Sequence, residues 1–70
     1  MENNLKFYRK LANMSQKELA ESINVTRQTI SLIEVGKYNP TINLCIALCK
    51  VLNTDLNSLF LEGPKIKKHL

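Results

Sequence analysis

The chain has 70 residues, 44% of them apolar, and a formal net charge of +4. This length permits one small domain, and the apolar share is too high for a disordered polymer. No apolar run is long enough to cross a bilayer, and the start Met-Glu-Asn-Asn lacks the basic and apolar segments of a secretory leader, so a cytoplasmic protein is expected. The positive balance suits a polyanion such as DNA, and equally an ordinary, slightly basic protein.

Period-two alternation is absent and helical spacing recurs throughout, which predicts an all-α fold of five helices. Asn3 or Asn4 can cap a first helix carrying Leu5, Tyr8 and Arg9, and Asn13 is placed to end it in the left-handed region. Ser15-Gln16-Lys17-Glu18 reads as a capping box, and the helix behind it buries Leu19, Ala20 and Ile23, with Met14 placed to staple onto Leu19. The chain turns at Ile23-Asn24-Val25. Thr26 can cap a third helix reaching about Val35, and Gly36 stops it. At about 100° per residue, with Ile30 central on the buried side, Ile33 and Glu34 face inward. Gln28, Ser31, Leu32 and Val35 then face outward, with Arg27 on the flank of the first turn.

Lys37-Tyr38-Asn39-Pro40 is a predicted loop. Thr41 caps a fourth helix, residues 42 to 52, ended by Asn53; Asp55 caps a short fifth helix from Leu56 to about Leu61, broken by Gly63-Pro64. Cys45 and Cys49 lie four apart on one helix face, a poor arrangement for a disulfide, and two thiols alone make a poor metal site. They read as small buried residues in a reduced compartment. No nucleophile–base pair, phosphate-binding glycine loop or metal cluster is evident, so neither catalysis nor a cofactor nor a small-molecule ligand is expected.

Two short helices, residues 15 to 23 and 26 to 35, joined by a tight turn, have helix-turn-helix spacing: a small residue, Ala20, where the second helix crosses, and apolar Val25 just after the turn. The run Ser-Gln-Lys-Glu-Leu-Ala-Glu-Ser-Ile-Asn-Val-Thr-Arg-Gln-Thr-Ile-Ser-Leu-Ile-Glu-Val-Gly-Lys-Tyr-Asn-Pro resembles the core of the Cro/cI (XRE-type) helix-turn-helix family. The likeness continues through Thr41-Ile42, Leu52 and Leu56-Asn57-Ser58-Leu59-Phe60, and it is nearest to short single-domain bacterial regulators such as the cytolysin repressor type. It implies a lambda-repressor-like domain over residues 4–61, followed by a tail, 62–70. Two departures stand out: Asn24 occupies a turn position that is usually Gly, and Val35 one that is usually Asn.

The resemblance implies a sequence-specific regulator of transcription, expected to repress, whose third helix enters the DNA major groove. Thr26 stands at the head of that helix. Arg27 can pair with guanine, Gln28 with adenine and Ser31 with either base type, while Leu32 either meets a thymine methyl or is simply an exposed leucine. Gln16 matches a phosphate-binding position. Lys17, Lys37, Tyr38 and Asn39 would add backbone contacts, the lysines being otherwise ordinary solvated side chains. The positions of Arg9 and Glu34 form a structural ion pair in the family. Ile46, Leu56, Leu59, Phe60, Leu61 and Ile66 look too numerous for the inner face of one short helix and its neighbour, so they are expected to join two copies into a homodimer. Two rival readings remain open: a protein-interaction module that keeps the fold, and the antitoxin half of a toxin–antitoxin pair.

Overall fold

The computed structural model of the chain describes residues 3–63. Ile66 lies outside the described residues. Five helical segments follow in order: α1 (Leu5–Leu11), α2 (Gln16–Ser22), α3 (Arg27–Glu34), α4 (Ile42–Leu52) and a fifth helix, Asn57–Leu61. Among the described residues there is no strand, and no helix is long and apolar enough to cross a membrane.

Short polar side chains start the helices. Ser15 Oγ accepts the Glu18 amide at 2.9 Å while Glu18 Oε1 accepts the Ser15 amide at 2.8 Å, which completes the capping box. Thr26 Oγ1 accepts from the Thr29 amide, Thr41 Oγ1 from the Leu44 amide and Asp55 Oδ1 from the Ser58 amide. At α1 the work is divided: Asn3 Oδ1 accepts the Leu5 amide at 3.0 Å, whereas the Asn4 side chain is turned to the far end of the chain.

One device ends all four α-helices. Asn13, Asn24, Gly36 and Asn53 have φ of 59°, 62°, 79° and 55°. Each follows its helix in the left-handed region, and the amide of the next residue reaches back five positions: Met14 to Arg9, Val25 to Ala20, Lys37 to Leu32 and Thr54 to Cys49. This is the Schellman arrangement, which satisfies carbonyls that have no partner within the helix. Asparagine tolerates the conformation because its short polar side chain can bond locally. Asn24 therefore replaces the usual turn glycine without loss of the turn.

The fifth helix starts as expected, with Leu56 already helical after the Asp55 cap, but departs in winding: over Asn57–Leu61 it is a π-helix, and the Glu62 amide donates to Asn57 O at 2.7 Å, five residues back. Asn4 packs against this end of the chain. Its backbone N–H donates to Leu59 O (2.8 Å), and its Nδ2 donates to Ser58 O (2.8 Å) and Gly63 O (3.2 Å). Ser58 O is the carbonyl that Glu62 N–H would reach in an α-helix; here it accepts from Asn4 Nδ2, and Glu62 N–H donates to Asn57 O.

Each segment contributes to a single core. Leu5, Leu19, Ile30, Ile33, Leu48 and Leu59 are fully buried, and Met14, Ile23, Val25 and Leu56 pack partly against them. Ala20 is buried where α2 lies on α3. The dimer expectation needs correction here, since Leu59 is 0% and Phe60 8% exposed, both inside this chain's own core. Leu56, Leu59 and Phe60 are the i, i+3, i+4 stripe of an inward-facing helix, so they are not surplus apolar surface. Ile46 and Leu61 remain exposed, at 41% and 73%.

The left-handed turn at Asn24 is open to a direct check. Asn24→Gly should keep or slightly raise the thermal midpoint, whereas Asn24→Val should cost about 1–2 kcal/mol, because a β-branched side chain is strained there. Equal midpoints for the two variants would show that the turn does not require positive φ.

Candidate nucleic-acid interface

The α2–turn–α3 unit presents its polar side through the first turn of α3. Capping by Thr26 leaves Arg27 and Gln28 exposed one and two positions into the chain's third helix, with Ser31 half-buried and Leu32 at the margin of exposure. The inward side is Ile30 and Ile33, both fully buried. The helical-wheel assignment therefore agrees with the structure at Gln28, Leu32, Ile30 and Ile33, while Ser31, placed outward by the wheel, is half-buried. Beyond α3, the Schellman turn delivers Lys37, Tyr38 and Asn39 directly from the C-terminal end of the helix, all three exposed. Lys17 is exposed on α2.

A chain of hydrogen bonds runs beneath this surface. Arg9 Nε donates to Glu34 Oε2 at 2.6 Å and Arg9 Nη2 to Glu34 Oε1 at 3.4 Å, with the two side chains only 9% and 4% exposed. Arg9 Nη1 donates to Met14 O at 2.9 Å, fixing the segment just before α2. On the other side of the carboxylate, Gln16 Nε2 donates to Glu34 Oε1 at 3.0 Å, and Gln16 Oε1 accepts from Arg27 Nη1 at 3.3 Å. Thus α1 and the entrance to α2 meet on one buried carboxylate at the C-terminal end of α3, and Gln16 extends the chain of bonds to Arg27 at the helix's start.

The structure brings together Arg9, Glu34, Gln16 and Arg27, four of the residues that sequence reasoning had singled out in two separate groups. The link between the groups was missed, although Arg27 and Glu34 are seven apart on α3 and so share a face. Asn3 and Asn4 were missed beyond their role as helix caps: Asn3 Nδ2 also donates to Ile33 O at 2.7 Å, tying the N-terminal segment to the end of α3.

Cys45 and Cys49 are free and buried. Burial pushes both thiols above their ordinary pKa, and at Cys49 the neighbouring Cys45 and Asp55 add to the effect. Among the described residues no three His, Cys, Asp or Glu side chains are grouped to hold a metal ion.

Residues 5–59 match the family model described as helix-turn-helix. An HTH-type transcriptional regulator of Methanocaldococcus jannaschii is 41% identical over 61 residues, covering 87% of this chain and 92% of that protein. The HTH-type transcriptional regulator YgzD of Bacillus subtilis is 37% identical over 60 residues, 86% of this chain and 91% of that one. Control protein C.SmaI of Serratia marcescens is 38% identical over 56 residues, 80% and 67% of the respective chains. The chain belongs to the helix-turn-helix family, of the Cro/cI type, and its relatives are found in archaea as well as bacteria.

Loss of the buried pair should be costly. Arg9→Ala strands the Glu34 carboxylate, and such stranding costs about 3–5 kcal/mol when burial is nearly complete. A thermal or urea melt reads this directly; an unchanged midpoint would mean that the pair adds nothing to stability.

Proposed function

We propose that the chain is a sequence-specific regulator of transcription that binds double-stranded DNA, and that it acts as a homodimeric repressor on an inverted-repeat operator. The observation that carries this reading is the first turn of α3: a Thr26-capped helix end with exposed Arg27 and Gln28, on a helix whose opposite side is locked into the core. Such a helix end fits the major groove, where Arg meets guanine O6 and N7 and Gln meets adenine N6 and N7. Ser31 and Leu32 lie further along the outward side and extend the contact surface toward either base type and a thymine methyl. Gln16, Lys17, Lys37, Tyr38 and Asn39 flank the helix on the polypeptide and supply phosphate contacts, which set register without reading sequence. The transcriptional regulators among the relatives support the same assignment.

Binding of variants to the duplex that the chain selects from a random-sequence pool separates the two kinds of contact. Arg27→Ala and Gln28→Ala should each lose about 1–3 kcal/mol of discrimination at particular base pairs. Lys37→Ala should weaken all sequences alike and reduce the salt slope by about 1. Unchanged preference in both α3 variants would remove base reading from this helix.

For the dimer, the exposed apolar residues toward the end of the described chain include Leu61, after the fifth helix's inward stripe, and Ile46 on α4. Pairing of two copies there would cover Leu61 and Ile46 with the outer part of half-buried Leu56, and leave both α3 helices free. Two recognition helices related by a dyad would read half-sites about one helical turn, roughly 34–36 Å, apart. Sedimentation at micromolar concentration should show a dimer for the wild type and a monomer for Leu61→Asp. A monomeric wild type that binds single half-sites without cooperativity would exclude this assembly.

A further inference from the structure

We propose that Glu34 is a positioning residue for DNA contact: its buried carboxylate fixes the side-chain amide of Gln16, and Gln16 in turn holds Arg27. The inference rests on the DNA-binding reading above and deepens it, by making the structural ion pair part of the recognition surface.

The chemistry of the donors dictates the arrangement. An ionised carboxylate only accepts hydrogen bonds, and a guanidinium only donates. The Gln16 amide sits between one of each, with Nε2 3.0 Å from Glu34 Oε1 and Oε1 3.3 Å from Arg27 Nη1. Turning the amide over would set its oxygen against the carboxylate and its NH2 against the guanidinium, losing both bonds and adding two repulsions. Gln16 is therefore held in one orientation, and Glu34 is what makes the choice. Glu34 is itself anchored by Arg9 Nε at 2.6 Å, and Arg9 by Met14 O.

What this leaves free is suited to DNA. Gln16 Nε2 has two N–H groups, one of which Glu34 takes. The second can meet a phosphate oxygen, since Gln16 is only half-buried. Arg27 gives one N–H to Gln16 and keeps the remainder of its five for a base. Holding a long, exposed side chain before the DNA arrives reduces the ordering that binding must supply. The same contact ties Arg27 to a residue that touches phosphate, so the two DNA contacts are set at a fixed separation.

Apolar replacement of a buried ion pair commonly preserves stability, so Arg9→Met with Glu34→Leu removes the carboxylate while sparing the core. This double variant should bind the selected duplex roughly three- to tenfold more weakly, the range for one or two hydrogen bonds. Gln16→Ala should weaken the wild type by a similar factor and add little when placed on the double variant. Arg9→Met with Glu34→Gln restores an accepting oxygen without charge, and should recover most of the affinity; a merely structural pair would make affinity follow the melting temperature instead. Equal binding by the wild type and the Arg9→Met/Glu34→Leu chain overturns the proposal, as does a full, additive loss from Gln16→Ala. Nuclear magnetic resonance of the Gln16 side-chain NH2 in the wild type gives a test that needs neither DNA nor a variant. Resonances displaced from those of solvent-exposed glutamines, and slow amide rotation, are expected; ordinary exposed-glutamine values would overturn the proposal. Failure to select any duplex would instead defeat the DNA-binding reading, and the amide resonances would still decide whether Glu34 holds Gln16.

Discussion

A single buried carboxylate organises the helix-turn-helix. The Glu34 side chain is 4% exposed at the end of α3, where an unpaired charge would be intolerable. Its needs are met from two directions: by Arg9 of α1 and by Gln16 at the head of α2. Because hydrogen bonds have strict geometry, these contacts fix α1 and α2 against α3 more specifically than apolar packing alone would. Whether such a pair adds net stability over an apolar equivalent is a separate matter, since desolvation offsets much of the attraction. Its value here lies in orientation: the network closes only where Arg9 of α1, Gln16 of α2 and Glu34 of α3 come together.

That constraint matters because the helices are too short to stand alone. α1 and α2 have seven residues each and α3 eight, well below the length at which isolated helices persist in water. They survive through their ends and their shared core. Polar caps satisfy first-turn amides, left-handed asparagines or a glycine satisfy last-turn carbonyls, and the fully buried leucines and isoleucines of all five segments supply the apolar driving force. Ala20 fits the same logic. Its carbonyl accepts the Val25 amide at 3.0 Å, so it both ends α2 and borders the crossing with α3.

The features legible in the sequence are those encoded over a few residues. The capping box at Ser15, the caps at Thr26 and Thr41, the left-handed Asn13, Asn24 and Asn53, and the inward Ile30, Ile33 and Glu34 all follow from spacing and side-chain chemistry within one turn or two. The exposed first turn of α3 was legible for the same reason. Contacts that close over long separations were not. Asn3 meets Ile33, and Asn4 meets Ser58 and Gly63, across 30, 54 and 59 residues, and nothing local announces which carbonyl an asparagine amide will find. The misassignment of Leu59 and Phe60 has a different origin. Their helical stripe was present in the sequence, but counting apolar residues without asking which share a face turned core into supposed surface.

The Asn4 contacts join the start of α1 to the fifth helix. Asn4 is itself only 3% exposed, with its amide groups directed into the fifth helix. Its Nδ2 meets Ser58 O beside the Glu62–Asn57 bond, and Leu61, which follows the inward stripe of Leu56, Leu59 and Phe60, is exposed. Since Asn4 is followed directly by Leu5, a fully buried core residue, the same N-terminal segment anchors the core and holds the C-terminal helix in place. The network around Glu34 and the clasp around Asn4 grip α1 at opposite ends, through Arg9 and through Asn4. A seven-residue helix held at both ends acts as a strut between α3 and the fifth helix, and that strut fixes the spacing between the surface that would read DNA and the surface that would meet a second copy.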